Sequence, residues 1–149
     1  FGAPEPIHGA EVAACKTATD FEEAMVRVNA HAKSIGCEEN LGHRVGIHSG
    51  SVLIGNLGSS TRVNFSVCGT TANIAARLEQ LGKEYLISPL VSGHVEIAVR
   101  GEFVCVLLDV VKLRGHTSTH TNVFHLVCRK DDPKAKSPGV LAALPRYRF

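Results

Sequence analysis

The spacing of apolar residues predicts a long helix near the start of the chain. Between positions 10 and 35, apolar residues recur every three or four positions, which places them on one side of an α-helix. Gly36 follows directly and is typical of a helix C-terminus. We therefore predict a helix over 10–35 that packs its apolar stripe on a core. The stripe consists of Ala14, Ala18, Phe21, Met25, Val28, Ala32 and Ile35.

Shorter apolar runs bounded by turn residues predict β-strands in the rest of the chain. The runs 44–48 and 51–57 enclose Ser49 and Gly50, and we predict that they pair as a hairpin. The remaining runs predict a short strand and a helical turn within 86–98, and two strands over 103–113 and 122–128.

A further strand is predicted where Val63, Phe65 and Val67 alternate with polar residues. Alternation of this kind is typical of a half-buried strand, so we expect the three apolar side chains to face a core. Ser66 would then lie on the polar side of the strand.

A second helix is predicted over 71–84, with Thr70 or Thr71 as its N-cap. Asn73 and Arg77 are four positions apart, which places them one helical turn from each other beside the apolar stripe. Because an arginine at the edge of a core is costly to desolvate without a partner, Arg77 is either salt-bridged or an anion contact. The apolar stripe consists of Ile74, Leu78, Leu81 and Tyr85.

Helices interleaved with strands predict an α+β fold, and composition narrows the function. The 149 residues carry a formal net charge of +2, so we expect no nucleic-acid partner. No apolar run approaches the length of a membrane span, so we expect no membrane contact from this segment. The charged, proline-containing stretch after residue 128 predicts that 129–149 form a linker and tail. Because the chain begins with Phe1, we interpret it as a piece of a longer protein.

The cysteines and histidines favour no metal or disulfide site. The five cysteines are an odd number without a C-x-x-C pair, which favours reduced, mostly buried thiols in an intracellular protein. His116, His120 and His125 form the densest histidine group, but they lie around a polar loop, and we do not predict a metal site there. The sequence also has no P-loop, dinucleotide-binding glycine motif, H-E-x-x-H or G-x-S-x-G.

Two runs of the sequence resemble the signatures of class III nucleotidyl cyclase catalytic domains. The first is 45–59, and the second is 62–79, which is similar to the family pattern R-x-x-Y-T-V-x-G-D-x-V-N-x-A-A-R-L-E. Residues 1–4 are similar to the segment that opens this half of the domain, and 111–115 and 123–126 are similar to its closing strands. The resemblance therefore covers residues 1 to about 128, which we take as the C-terminal part of a cyclase catalytic domain.

The resemblance implies a ferredoxin-like α+β fold that is partial here, because the first strand and the hairpin with the metal-binding aspartates are missing. It also implies a homodimer or heterodimer with a second cyclase domain, whose active sites form across the interface. The implied reaction joins the ribose 3′ oxygen of ATP or GTP to the α-phosphate and expels pyrophosphate. The implied cofactors are two Mg²⁺ or Mn²⁺ ions whose ligands lie outside this chain, so the fragment alone is not expected to be active.

The family's functional residues match four positions of this sequence. Asn73 matches the asparagine that orients the ribose, and Arg77 matches the arginine that stabilises charge on the α-phosphate in the transition state. Arg114 falls where the family has a lysine or arginine near the terminal phosphates. Ser66 lies at the position that helps to choose the base. Because a serine hydroxyl donates and accepts as the family's threonine does, the resemblance favours ATP over GTP.

Some departures from the family pattern keep a second function open. Thr70 replaces the usual aspartate, Ala72 replaces the usual valine, and the stretch 85–89 is shorter than is typical. The alternative to a cyclase is therefore a catalytically degenerate cyclase-homology domain that acts as a dimerisation or scaffold module. Because nucleoside triphosphates are cytosolic, the catalytic domain is expected in the cytoplasm, where it could be the cytosolic part of a larger or membrane-attached protein.

Overall fold

A four-stranded sheet has two helices on one face and one helix on the other, and a separate hairpin projects beside it. The computed structural model describes residues 1–59, 62–112, 120–137 and 139. Arg114, His116 and residues 140–149 of the predicted tail lie outside the described residues. The elements are α1 (Ala10–Ser34), β1 (Gly46–Ile47), β2 (Leu53–Ser59), β3 (Arg62–Cys68), α2 (Thr70–Tyr85), β4 (Leu90–Ser92), α3 (Gly93–Val99), β5 (Phe103–Val111), β6 (Thr121–Arg129) and a 3₁₀ helix (Pro133–Lys136).

The larger sheet has the strand order β1-β4-β6-β5. The short strand β1 is parallel to β4, whereas β4 and β5 are both antiparallel to β6. The predicted strands at 103–113 and 122–128 are confirmed as β5 and β6, and the predicted strand and helical turn within 86–98 are confirmed as β4 and α3. The α+β class is therefore confirmed.

The two faces of this sheet bury separate apolar clusters. On one face, α1 and α3 pack on β4, β5 and β6 through Cys15, Ala18, Val91, Val95, Val99, Phe103 and Leu126. On the other face, α2 packs on β4 and β6 through Ile74, Leu78, Leu90 and Val123. The second cluster confirms the predicted apolar stripe of α2, since Leu81 and Tyr85 also pack against it.

The predicted pairing of 44–48 with 51–57 is wrong. The strand β2 pairs antiparallel with β3, from Leu53 opposite Cys68 to Ser59 opposite Arg62, and forms a two-stranded sheet of its own. The strand β1 instead pairs with β4, which lies beyond α2 in the sequence. Ser49 and Gly50 therefore connect two different sheets, and they do not form a hairpin turn.

The predicted burial of the apolar side of β3 is also wrong. Val63, Phe65 and Val67 are 57%, 62% and 49% exposed, and Leu53 on β2 is 70% exposed. Ser66, predicted on the more solvated side, is the half-buried residue. The alternation identified the apolar side correctly, but the described residues do not cover that side.

Helix α1 has the predicted length but buries less of its stripe than predicted. The helix ends at Ser34, and Gly36 follows with a left-handed φ of 89°. Ala18 is buried, but Phe21, Val28 and Ile35 are 45%, 43% and 70% exposed. The second half of the predicted apolar stripe therefore lies at the surface of the described structure. Among the described residues, no helix is both long enough and apolar enough to cross a membrane.

Two smaller predictions also need correction. Helix α2 begins after Gly69, which caps it without a side-chain hydrogen bond, so neither Thr70 nor Thr71 is its N-cap. All five cysteines are free, but only Cys15 and Cys128 are buried, and Cys37 and Cys68 are exposed. Burial raises the pKa of Cys15 and of the partly buried Cys105 to about 12, so both thiols stay protonated at neutral pH.

Helix α2 approaches β1 so closely that only glycine fits between them. A Cβ atom at Gly46 would lie 2.3 Å from the carbonyl oxygen of Ala75 and 2.4 Å from the backbone nitrogen of Glu79. Both of these are backbone atoms, which cannot rotate away as a side chain would. Two positions before Gly46, Arg44 donates from Nε to Oε1 of Glu79 at 2.6 Å, which adds an ion pair to the same crossing.

The C-terminal end of α2 is joined to β5 by a side-chain hydrogen bond. The hydroxyl of Tyr85 donates to Oδ2 of Asp109 at 2.8 Å, next to an irregularity in the pairing of β5 with β6. Burial raises the pKa of Tyr85 to about 12, and the hydrogen bond to Asp109 and its negative charge contribute in the same direction. Helix α2 is therefore fixed to the larger sheet at two places, near its middle through Gly46 and at its C-terminal end through Tyr85.

We expect Gly46→Ala to destabilise the domain by about 1–3 kcal/mol or more, because the added methyl overlaps backbone atoms and the helix must move. Chemical denaturation of the complete protein measures this change. Gly42→Ala is the matched control, since a Cβ there meets no atom within 4 Å. Equal stability of the two variants would contradict the close crossing of α2 and β1.

The raised pKa of Tyr85 predicts a loss of stability in alkali. Because the pKa of Tyr85 is about 12 in the folded chain and an unperturbed tyrosine has a pKa of 10.0, the stabilising contribution is complete below pH 10. It is then lost as the pH rises from 10 to 12. The phenolate absorbance of wild type minus that of Tyr85→Phe should have its midpoint near pH 12.

Removing the carboxylate tests the cause of this shift. Asp109→Asn should lower the pKa of Tyr85, whereas Asp131→Asn, which changes an exposed carboxylate elsewhere, should leave it unchanged. A wild-type midpoint near 10 would show that the tyrosine is neither buried nor bonded as described.

Candidate active site

Helix α2 carries both of the residues that the sequence singled out. Ile74 and Leu78 point into the core, which turns the neighbouring positions Asn73 and Arg77 away from it. Asn73 is exposed and Arg77 is half-buried. The chain's own core therefore covers neither side chain, and both remain accessible one helical turn apart.

Arg77 is half-buried, like Arg129, but unlike three other arginines of the described residues it has no partner among them. Arg44 pairs with Glu79, Arg100 with Glu96 and Arg129 with Asp20. Within the ranges that the structure describes, no hydrogen bond or ion pair joins Arg77 to another side chain. A half-buried guanidinium without a carboxylate is an available anion contact, because its donors are partly desolvated and not yet satisfied.

Ser66 lies on β3, close to the start of α2 along the chain. Its hydroxyl donates to the carbonyl oxygen of Asn64 at 3.3 Å, a long bond that leaves the hydroxyl free to accept another. Gly69 connects β3 to α2 with a φ of 134°, a conformation that favours glycine. The structure thus places Ser66, Asn73 and Arg77 on two consecutive elements. Arg114 lies outside the described residues, so its relation to these three stays a prediction.

A largely apolar cleft of the described structure does not include these residues. It has a volume of about 580 Å³ and lies between α1, β1, the hairpin and the start of α2. Thr71, Ala72 and Ala75 line it, whereas Asn73 and Arg77 do not. At its polar end, Ser49 donates to Oε1 of Glu11 at 2.5 Å, and this bond lowers the pKa of Glu11. The cleft thus borders the open edge of β1, on another side of α2.

The described residues offer no ligand set for a metal ion. No group of three or more histidine, cysteine, aspartate or glutamate side chains in that part of the chain converges on one point. Of the histidine group noted in the sequence, His125 is half-buried on β6, and burial lowers its pKa. The residues present therefore do not fit the two metal ions that the family resemblance implies, and we assign no ligand to this chain.

The chain matches a known protein family and is similar to several known proteins. Residues 1–126 match the family model described as "Adenylate and Guanylate cyclase catalytic domain". The chain is 32% identical over 114 residues to "Adenylate cyclase 1" of Rhizobium meliloti, covering 76% of this chain and 17% of that protein. The chain thus spans less than a fifth of that relative's length.

Two solved structures share the fold at low sequence identity. The adenylyl cyclase CyaB from P. aeruginosa superposes with a TM-score of 0.69 at 21% identity, covering 85% of this chain and 64% of that chain. The guanylate cyclase domain of RhGC from Catenaria anguillulae, in complex with GTP, gives a TM-score of 0.65 at 24% identity, covering 87% and 65%. With the family model matched from residue 1 to residue 126, the chain belongs to the adenylate and guanylate cyclase catalytic domain family.

Proposed function

We propose that this chain is the C-terminal part of a catalytic cyclase domain that makes a 3′,5′-cyclic nucleotide from a nucleoside triphosphate, with ATP favoured over GTP. The observation that carries the proposal is the half-buried Arg77, which has no partner among the described residues and lies one helical turn from the exposed Asn73, on a helix fixed to the sheet near its middle and at its C-terminal end. A rigid helix with two such side chains is suited to hold a sugar and a phosphate.

The chemistry assigns Arg77 to the transferring phosphate. The ribose 3′ oxygen forms a bond to the α-phosphorus, the bond from that phosphorus to the bridging oxygen breaks, and pyrophosphate leaves with the electron pair. Such a reaction depends on positioning and on stabilising charge at the phosphate oxygens. A planar guanidinium donates to two of these oxygens at once, and Asn73 would hold the ribose so that the 3′ oxygen is in line.

The site would be completed by a second cyclase domain. Val63, Phe65 and Val67 form an exposed apolar side of the hairpin, next along the chain to the helix that carries Arg77. Exposed apolar residues that cluster on one element mark an interaction surface more often than isolated ones do. A homodimer or heterodimer through this surface would cover the apolar residues and enclose the exposed side of α2. Arg114 is proposed as a contact to the terminal phosphates.

Further strands of the same domain are proposed at the open edge of the sheet. Strand β1 is the outermost strand of the described sheet, the 580 Å³ cleft lies beside it, and half of the α1 stripe is exposed. The chain also covers only 64% of the CyaB chain, which supports a missing first strand and hairpin. Two Mg²⁺ or Mn²⁺ ions held there by aspartates would supply positive charge at the phosphates, and we derive no step through them.

We propose the domain boundaries and the cellular location that the sequence predicts. Residues 1–128 are assigned to the cyclase domain and 129–149 to a linker and tail, although the 3₁₀ helix Pro133–Lys136 gives part of that linker a regular structure. A cytoplasmic location follows from the substrate, because nucleoside triphosphates are made and kept in the cytosol.

A scaffold role is the second candidate, and one observation favours it. Thr70 stands where the family has an aspartate, so a carboxylate is missing from the first turn of α2, next to the proposed site. A domain that kept the dimer surface but lost turnover would still use the exposed hairpin. Turnover by the complete protein separates the two candidates.

Arg77→Ala should lower kcat by roughly 10²-fold or more and change nucleotide affinity much less, because the charge that Arg77 meets builds in the transition state. Steady-state kinetics of the complete protein would measure both constants. Arg27→Ala, which removes an exposed arginine from α1, is the matched control and should leave both unchanged. Near-wild-type turnover of Arg77→Ala would remove this residue from the mechanism.

The complete protein should turn over ATP faster than GTP when each is supplied with Mg²⁺ or Mn²⁺. The reason is that Ser66, like threonine, can accept a hydrogen bond from the adenine amino group. Parallel assays of cyclic nucleotide formation decide this, and Ser66→Ala should reduce the preference. A clear preference for GTP would overturn the base assignment, and turnover of neither nucleotide with every partner present would support the scaffold role.

A further inference from the structure

We propose that Thr71 is a positioning residue that sets the angle between the β2–β3 hairpin and helix α2. Its hydroxyl Oγ1 donates to the carbonyl oxygen of Ser51 at 2.7 Å, across 20 positions of sequence. This hydrogen bond joins the first turn of α2 to the segment that enters β2. The sequence alone suggests a different role for Thr71, as a cap of its own helix, and the structure shows no such bond.

The entering segment is shaped to fit this threonine. A Cβ atom at Gly50 would lie 2.8 Å from Oγ1 of Thr71 and 3.4 Å from its methyl group, so glycine leaves the space that the side chain fills. On the other side of the same segment, a Cβ at Gly69 would contact the Ser51 carbonyl oxygen and the Val52 Cα at 3.8 Å. The start of β2, the end of β3 and the start of α2 therefore meet at one point.

Within the described residues, the hairpin is held at this meeting point and beside the cleft that Ile54 and Val67 line together with α1. In the described part of the chain, β2 and β3 pair only with each other and form no backbone ladder with the larger sheet. The apolar side chains Leu53, Val63 and Phe65 are more than half exposed. A hairpin attached mainly at its base can swing as a unit, unless the base is fixed by contacts such as the Thr71 bond.

Threonine suits this role better than a longer polar side chain would. It is β-branched, so few rotamers are open to it in a helix, and its hydroxyl points in a defined direction. A bond from a restricted donor to a backbone carbonyl fixes the positions of both segments. A flexible donor such as lysine could keep the bond while the hairpin moved.

The angle matters for the proposed function, and this part of the inference rests on that function. Ser66 lies on the hairpin and Asn73 lies on the helix, and a nucleotide would contact the first through its base and the second through its ribose. The exposed hairpin residues would also meet the second domain. If the hairpin swings, only a fraction of molecules has the geometry for binding, and the apparent affinity falls by that fraction.

Hydrogen exchange tests the positioning role without requiring any activity. Thr71→Val keeps the shape of the side chain and removes the donor, so amides in 50–54 and 68–72 should exchange about fivefold faster or more. Amides of β5 and β6 should keep their wild-type rates, since their pairing does not involve Thr71. Thr71→Ser should restore the wild-type rates, and Thr70→Val, the same change one residue earlier, should have no effect.

Unchanged exchange at 50–54 and 68–72 in Thr71→Val would overturn the inference. A uniform acceleration that includes β6 would overturn it as well, because it would show a general loss of stability. Wild-type exchange in Thr71→Val with lower activity would mean that Thr71 acts directly on substrate instead of positioning the hairpin.

Dimer affinity, measured by sedimentation on the complete protein, tests the part of the inference that concerns assembly and function. The dissociation constant of Thr71→Val should rise about fivefold or more, and Thr71→Ser should return it to the wild-type value. A dimeric wild type with an unchanged constant in Thr71→Val would overturn the link to assembly. If the wild type does not dimerise or turn over nucleotide while the exchange result holds, the proposed function fails and the role of Thr71 stands.

Discussion

The close crossing of α2 over β1 at Gly46 is the contact on which the candidate site depends. With backbone atoms of Ala75 and Glu79 occupying the space of a Cβ atom, the helix has one depth and little freedom to rotate about its axis. That rotation decides which positions enter the core. Because Ile74 and Leu78 enter it, the positions that directly precede them, Asn73 and Arg77, are turned away from the core. Gly46 on β1 thus determines where Arg77 of α2 lies.

Helices and strands could be predicted from the sequence where their periodicity is local. The pairing of the strands could not be predicted. The 10–35 stripe gave the length of α1, and the 71–84 stripe gave both the core side of α2 and the positions beside it. By contrast, the partner of β1 was predicted from adjacency, and β1 actually pairs with β4 across the whole of α2. A strand of two residues has too little pattern of its own to indicate a distant partner.

Burial was overestimated for a related reason. Periodicity shows which side of an element is apolar, but it does not show whether another element covers that side. The stripe of α1 and the apolar side of β3 were both correctly located and yet remain about half exposed or more at Phe21 and Phe65. Thr71 was predicted as a helix cap, and its actual hydrogen bond could not be predicted because it depends on Ser51, a residue that only the folded chain brings near. The same limit applies to the candidate site. The spacing of the sequence predicted that Asn73 and Arg77 lie one helical turn apart, but it did not predict that both side chains are accessible.

The charges around Arg77 explain why its missing partner must come from outside the helix. Residues three and four positions away lie on the same side of a helix and could neutralise it, whereas a residue two positions away could not. Glu79 is two positions away, and it pairs with Arg44 at the crossing with β1. The residues at the favourable positions are Asn73, Ile74, Gln80 and Leu81, all of them neutral. The helix therefore places the Glu79 carboxylate toward the strand, and no carboxylate of the described residues pairs with the arginine. A partly desolvated guanidinium in such surroundings is stabilised most by an anion that arrives from solution, and a nucleotide phosphate has the charge and the paired oxygens to satisfy it.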